Sequence, residues 1–200
     1  MIAKGHDFRR VTMVAALNPD GALFSADFRA PERLFALLMQ AAGRAGRDAN
    51  LSAQQPGAMW VQTFHPTHPL FEKLKQHDVA GFIEQQLLER QQAGLPPFSH
   101  QALLRAEARS QEAAQAFLQA AMTQAQTWPE VASGRVTIYP AIPMGMQRVA
   151  NVERAQMLVE SNARPVLQQL LSQWHPVLHH LRDAHRSVIR WAIDVDPLVI

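Results

Sequence analysis

The densest chemistry in the sequence lies in the run Gln40-Ala41-Ala42-Gly43-Arg44-Ala45-Gly46-Arg47. At about 100° per residue, Arg33, Gln40, Arg44 and Arg47 fall within an arc of roughly 60° on one helix face. Leu34, Leu38, Ala41 and Ala45 gather on the neighbouring face, where they would pack against a sheet. Gly43 and Gly46 carry no side chain, so another group can approach the backbone closely there. A face of arginines beside glycines, held by an apolar flank, suits an oligophosphate, because guanidinium is always charged and forks onto phosphate oxygens. Arginines that stabilise a transferring γ-phosphoryl group contribute about 10³ to 10⁵ in rate. The same periodicity also describes a solvated arginine face with glycines ending the helix, and periodicity alone leaves both readings open.

Other constellations carry less. Nine histidines invite a metal, with His65 and His68 in a proline-rich loop and His175, His179, His180 and His185 around a late helix. Zinc sites need three or four converging ligands. With no cysteine and no regular paired spacing, no metal is expected. A serine hydrolase is disfavoured because no G-x-S-x-G elbow occurs. Trp60, Trp128, Trp174 and Trp191 read as core or domain-interface residues. The charge is nearly balanced, 19 Lys+Arg against 17 Asp+Glu, so composition alone is no nucleic-acid footprint. Only Lys4, Lys73 and Lys75 are lysines. Such an arginine bias suits bidentate phosphate contacts, and a GC-rich genome would produce it too. No apolar run is long enough for a membrane helix, and Met1 to His6 lacks a signal-peptide core, so a soluble, cytoplasmic chain is expected.

The elements that must position these residues fall into two patterns. Val11 to Leu17 is a near-continuous apolar run, as in a strand covered on both faces. A helical pattern runs from Pro31 to about Arg47, Gly57 to Phe64 reads as a second buried strand, and helices are expected near 68–76 and 79–93. That alternation is the rhythm of an α/β layer. Gly94-Leu95-Pro96-Pro97-Phe98 breaks it and is the expected linker, giving domains 1–93 and 99–200. Beyond it come a strand His100–Arg109, a helix Gln111–Gln126, a strand Val136–Tyr139 and a connection containing Pro and Gly. A strand Arg154–Ser161 follows, then a helix with Pro176 as its expected end, and a final strand of alternating pattern from Ile189 to Asp196. The order β-α-β-β-α-β is the ferredoxin-like plan.

Several stretches resemble known motifs. Gln40-x-x-Gly43-Arg44-x-Gly46-Arg47 resembles motif VI of superfamily-two helicases, and Lys4-Gly5-His6-Asp7-Phe8 resembles motif V. Asp27-Phe28-Arg29-Ala30-Pro31-Glu32-Arg33, Gln62-Thr63-Phe64-His65-Pro66 and Leu95-Pro96-Pro97-Phe98 narrow the resemblance, as does Trp191-Ala192-Ile193-Asp194-Val195-Asp196-Pro197. Together they resemble the primosomal protein N′ (PriA) family of replication-restart DNA helicases, over nearly the whole chain.

That resemblance implies α/β plus α+β architecture: the C-terminal part of a second RecA-like helicase lobe in residues 1–93, then an S10-like, ferredoxin-like domain. It implies that Arg44 and Arg47, supported by Gln40 and Gly43, reach the γ-phosphate of ATP. Gly5 and Asp7 would couple nucleotide to DNA, with Lys4 and His6 as neighbouring nucleic-acid contacts. Arg135, Arg148, Arg154 and Arg190 are the candidate DNA contacts of the second domain, and Arg148 alone stands in the 144–151 connection, where the family tends to be basic. Implied partners are branched or forked DNA, the single-strand-binding protein and other primosome proteins. No phosphate loop and no Asp-Glu-x-His box occurs. ATP and magnesium are therefore expected only with a first lobe, and no ATP turnover is expected from this chain alone. Zinc is not expected either, since the family's cysteine-rich insertion is absent. Met1 aligns with an internal methionine of motif V, so a natural truncation, a misassigned start or a cut piece is expected. The implied function is the C-terminal part of a 3′-to-5′ helicase that restarts replication at stalled forks. The alternative is a fork- or protein-binding module without catalysis.

Overall fold

The apolar run after Val11 forms strand β1 (Met13–Leu17), which lies parallel to β2 (Ala58–Gln62) from Met13 opposite Ala58 to Leu17 opposite Gln62. Parallel neighbours need a crossover. Part of it is the short α1 (Asp20–Leu23) and the longer α2 (Ala30–Ala42). The computed structural model describes residues 11–45 and 57–200, and the chain divides into two units, Met1–Glu89 and Arg90–Ile200. The divide falls inside a later helix, α4 (Val79–Ala93), which follows α3 (Pro69–Lys75).

The first unit has its own core. Leu34, Phe35 and Leu38 of α2 pack with Leu23 of α1, with Leu70, Phe71 and Leu74 of α3, and with Phe82 of α4. Phe35 and Phe82 stack with ring centroids 4.0 Å apart. The expectation of strands covered on both faces fails here. Val14 is buried, but Met13, Leu17 and Trp60 are exposed, because the described sheet has two strands and a helical layer on one side. Trp60 is therefore not a core residue of this unit.

In the second unit, β3 (His100–Ala108) leads to α5 (Gln111–Ala125), a single turn α6 (Pro129–Ala132) and the two-residue β4 (Thr137–Ile138). The hairpin β5 (Ile142–Val149) and β6 (Val152–Ser161) follows, then α7 (Arg164–Ala184) and β7 (Val188–Val195). The five strands form one sheet of order β4-β6-β3-β7, with β5 also paired to β6 and every pairing antiparallel. Ser110 caps α5 by accepting from the Ala113 amide. Both long helices cover one face, where Ala102, Leu104 and Ala106 of β3 and Ala155, Met157 and Val159 of β6 meet Phe117, Leu118, Leu170 and Trp174. Alanines at the contact let the helices sit close to the sheet.

Two expectations in this unit are corrected. The connection at 144–151 is mostly strand: β5 pairs with β6 through a register shift between Pro143 and Arg148, and the chain turns on Ala150 and Asn151. Both turn residues have positive φ, 49° and 63°, as a two-residue hairpin turn requires. The pattern hid this because neither residue is the usual glycine. The second correction is α7, which runs through Pro176 to Ala184 rather than ending there. Proline inside a helix costs about 3 kcal/mol, but Trp174 and Leu178 on either side are both fully buried and hold the axis continuous.

Candidate functional site

At the start of α2, Asp27 organises the turn. One carboxylate oxygen accepts the Arg29 amide at 2.9 Å and the other accepts Arg33 Nη2 at 2.6 Å. Asp27 thereby supplies the anionic partner that a helix N-terminus favours. Arg33, expected on the phosphate-facing arc, is instead paired with that aspartate.

The other end of α2 differs from the expected regular helix to Arg47. It ends at Ala42, and the next amides bond in the tighter i to i−3 pattern, Arg44 to the Ala41 carbonyl and Ala45 to that of Ala42, each at 3.1 Å. Glycine is a poor helix former, and Gly43 is where the regular pattern stops. Gln40 is exposed on the last turn, and Arg44 stands in the turn itself, half-buried. Gly43 keeps an ordinary φ of −66°. Among the described residues, a methyl group there would meet only the Met39 and Gln40 carbonyl oxygens, at 3.5 and 3.8 Å. The fold thus does not demand glycine at this position, and its missing side chain leaves open approach beside Arg44. Arg47 and the motif at Lys4, Gly5, His6 and Asp7 lie outside the described residues.

The loops after β1 and β2 are tied together by Asp20. Its carboxylate accepts from the Thr63 hydroxyl and from the Phe64 amide, the latter at 2.9 Å. The Phe64 amide first, and the Thr63 hydroxyl second, hold the Asp20 carboxyl below its ordinary value of 3.8. Asp20 carried no signal in the sequence, since its partners are far along the chain.

The second unit leaves one sheet face without a helix. Cross-strand pairs on it include Gln101 with Glu160, Leu103 with Leu158, Glu107 with Arg154, and Glu107 with Arg190. Glu107 accepts from Arg190 at 2.8 Å and pairs with Arg154 at 3.6 Å. Arg105 pairs with Asp194 at 3.0 Å and donates to the Val199 carbonyl at 3.3 Å. Glu160 accepts from Gln101 at 2.7 Å, and Ser99 and Tyr139 donate to it at 3.4 Å. Burial first, then Glu160, pushes the Tyr139 hydroxyl above its ordinary range.

The structure thus brings Arg154 and Arg190 together on one carboxylate, and it separates Arg135 from Arg148. Arg148, paired with Glu153 at 3.6 Å, sits at the β5–β6 turn, whereas the Arg135 carbonyl accepts from Ser161 at the far end of β6. Ten residues of strand put those ends roughly 30 Å apart. Sequence reasoning listed the arginines and missed Glu107, Glu160 and Asp194. The two-residue alternation of β3 and β7 was the signal that could have found them. Among the described residues, no group of three histidines or acids could hold a metal, and no helix is long and apolar enough to cross a membrane.

An α/β unit followed by an antiparallel sheet backed by two helices defines a mixed α/β protein. Residues 91–198, more than half of the chain, match the family model described as the primosomal protein N C-terminal domain, and the chain belongs to that family. It is 38% identical to the replication restart protein PriA of Haemophilus influenzae over 197 residues, which is 98% of this chain and 25% of that protein. The PriA of Synechocystis is 32% identical over 201 residues, 100% of this chain and 22% of that protein. That of Bacillus subtilis is 39% identical over 104 residues, 52% of this chain and 12% of that protein. The chain therefore spans a quarter or less of the length of these relatives.

Proposed function

We propose that the chain is the C-terminal part of an ATP-dependent 3′-to-5′ DNA helicase that recognises stalled or branched forks and restarts replication. The carrying observation is that likeness to proteins named for replication restart extends over both units, not the second alone. The parallel β1–β2 pair joined through helices supports reading the first unit as part of a RecA-like lobe. The strand order β4-β6-β3-β7 supports a ferredoxin-like plan for the second.

ATP with magnesium, held largely by a first lobe, supplies the phosphoryl group that such an enzyme transfers to water. This chain's residues fit the edge of that site: Arg44 follows a glycine, and Gln40 is exposed one turn earlier. Arg44, with Arg47, stabilises charge on the γ-phosphate, and Gly5 and Asp7 couple the nucleotide to DNA. In the second unit, Arg135, Arg148, Arg154 and Arg190 contact phosphates. Because Arg154 and Arg190 share Glu107, that contact is weak and salt-sensitive. Partners of the same reading are forked DNA, the single-strand-binding protein and other primosome proteins.

A second reading, a fork- or protein-binding module without catalysis, is favoured by one observation. The second unit builds its own core and alone carries the family match. Fluorescence anisotropy with a labelled fork, a matched duplex and a single strand, at low and moderate salt, tests the shared claim. Fork preference that survives moderate salt supports recognition by this chain. Equal or absent binding removes it. Between the two readings, DNA-stimulated ATP turnover decides. The first expects none from the chain alone and full dependence on Arg44 when a first lobe is supplied, and the second expects none in either case.

A further inference from the structure

His175, His179 and Arg182 stand at i, i+4 and i+7 on α7, one stripe of the helix. The stripe faces Trp191 on β7, an edge strand whose described partner is β3 alone. Both imidazoles meet the indole edge to face, with centroids 5.4 Å away for His175 and 4.9 Å for His179, and they meet each other at 4.7 Å. These three rings, with Arg182 and Arg190, line an open cleft of about 470 Å³.

Core packing accounts for the inner side of Trp191, which lies against the helix-side core. It does not account for two exposed imidazoles and an exposed guanidinium beside it. Among the described residues, the side chains of His175, His179 and Arg182 make no hydrogen bond or ion pair, whereas Arg190 is committed to Glu107. Flat rings next to an uncommitted guanidinium are what an unpaired nucleotide needs: the base stacks on aromatic faces, and the phosphate is held by the fork of donors. The cleft has room for one nucleotide and not for a duplex. A base in a duplex is already stacked on both sides.

We propose that this cleft holds one unpaired nucleotide of a DNA single strand, with its base against His175, His179 and Trp191 and its phosphate on Arg182. This deepens the fork-binding reading and rests on it, because the unpaired strand of a fork would be the source of that nucleotide.

The test uses the full chain and three labelled probes: a short oligothymidine, the same strand with abasic residues in place of its bases, and a fork. The abasic strand keeps the phosphates and loses only the rings. The chain is expected to bind oligothymidine about fivefold or more tightly than the abasic strand, the low end for one stacked base. A double variant, His175→Ala with His179→Ala, loses that preference and keeps its affinity for the abasic strand. Arg182→Gln weakens both strands alike and lowers the salt slope by about one. All three side chains are exposed, so thermal melts of the variants should match the parent. Equal affinity for both strands, or a preference that survives the double histidine change, overturns the proposal. If fork binding persists in that case, the fork reading stands without this cleft. If the chain binds neither strand nor fork, both are overturned.

Discussion

At the scale of single residues, Glu107 decides how much positive charge its end of the sheet face offers, since Gln101, Leu103 and Gln156 farther along that face are buried. It sits between Arg154 and Arg190, and its carboxylate raises the Arg190 pKa further above its ordinary value through the hydrogen bond and the charge. Glu107→Gln keeps the shape and removes the charge, so both guanidiniums become available to phosphate. DNA affinity should rise several-fold at low salt, with a steeper salt dependence read by anisotropy. Stability should change little, since an ion pair with so exposed an arginine contributes little. The arginines were legible as residue types in the sequence, but their ion-pair partners were not. Glu107 and Arg190 lie 83 positions apart, and only the register of β3 against β7 makes them neighbours.

Asp20 gives a pH-dependent case at the same scale. Its folded carboxyl lies below the ordinary 3.8 because the Phe64 amide and the Thr63 hydroxyl bond to the charged form. A depressed folded value contributes stability that is present above the unfolded value and is lost as pH falls through the folded one. Asp20→Asn should therefore lower stability at neutral pH and flatten the loss of stability below about pH 4, where thermal melts across that range would show it. Gly43→Ala makes the complementary point. The position has ordinary helical geometry and room for a methyl group, so the variant should melt at or slightly above the parent temperature. Any defect it causes with a first lobe present would then come from blocked approach to Arg44, not from misfolding.

At the scale of elements, periodicity found the long helices and most strands, missed the short helices Asp20–Leu23 and Pro129–Ala132, and failed elsewhere where packing overrides local preference. The apolar stripe Val166, Leu167, Leu170, Leu171 and Trp174 was readable, but Pro176 just beyond it argued for a helix end, whereas the helix runs on to Ala184. Burial of Trp174 and Leu178 decides the matter. Removing the proline should consequently help. Pro176→Ala recovers most of the roughly 3 kcal/mol that an interior proline costs, less about 1 kcal/mol for the freer unfolded chain. A net gain of about 2 kcal/mol in a urea melt is expected, and a loss would mean that the helix needs its irregularity. β5 failed differently: Pro143, Gly145 and a glycine-free turn read as a connection, while pairing with β6 makes a strand. The arginine helix failed at its end, because a uniform angle per residue was carried past Gly43 into a turn.

At the scale of the whole molecule, the described residues form two cores with no residue in common. One is built around Phe35, Phe71 and Phe82, and the other around Phe117, Met157 and Trp174. The change from an alternating α/β rhythm to a second, strand-rich pattern was legible in the sequence, although the strand Ile142–Val149 was absent from the expected β-α-β-β-α-β order. The position of the divide was less so, because the contact boundary falls at Glu89/Arg90 inside α4, ahead of the proline-rich stretch that marks the change in composition. Separate cores predict separate unfolding. Trp174→Ala empties the centre of the second core and should cost about 3–5 kcal/mol there. In a denaturant melt followed by far-ultraviolet dichroism, the parent should show two transitions, and the variant should move only one of them. The unmoved transition belongs to the first unit, and Phe82→Ala should shift it while leaving the other in place. A single transition that moves as a whole in both variants would mean that the two cores fold as one cooperative body. In that case no change in the second unit, including those at Glu107 and the His-Trp cleft, could be read without its effect on the arginine end of α2.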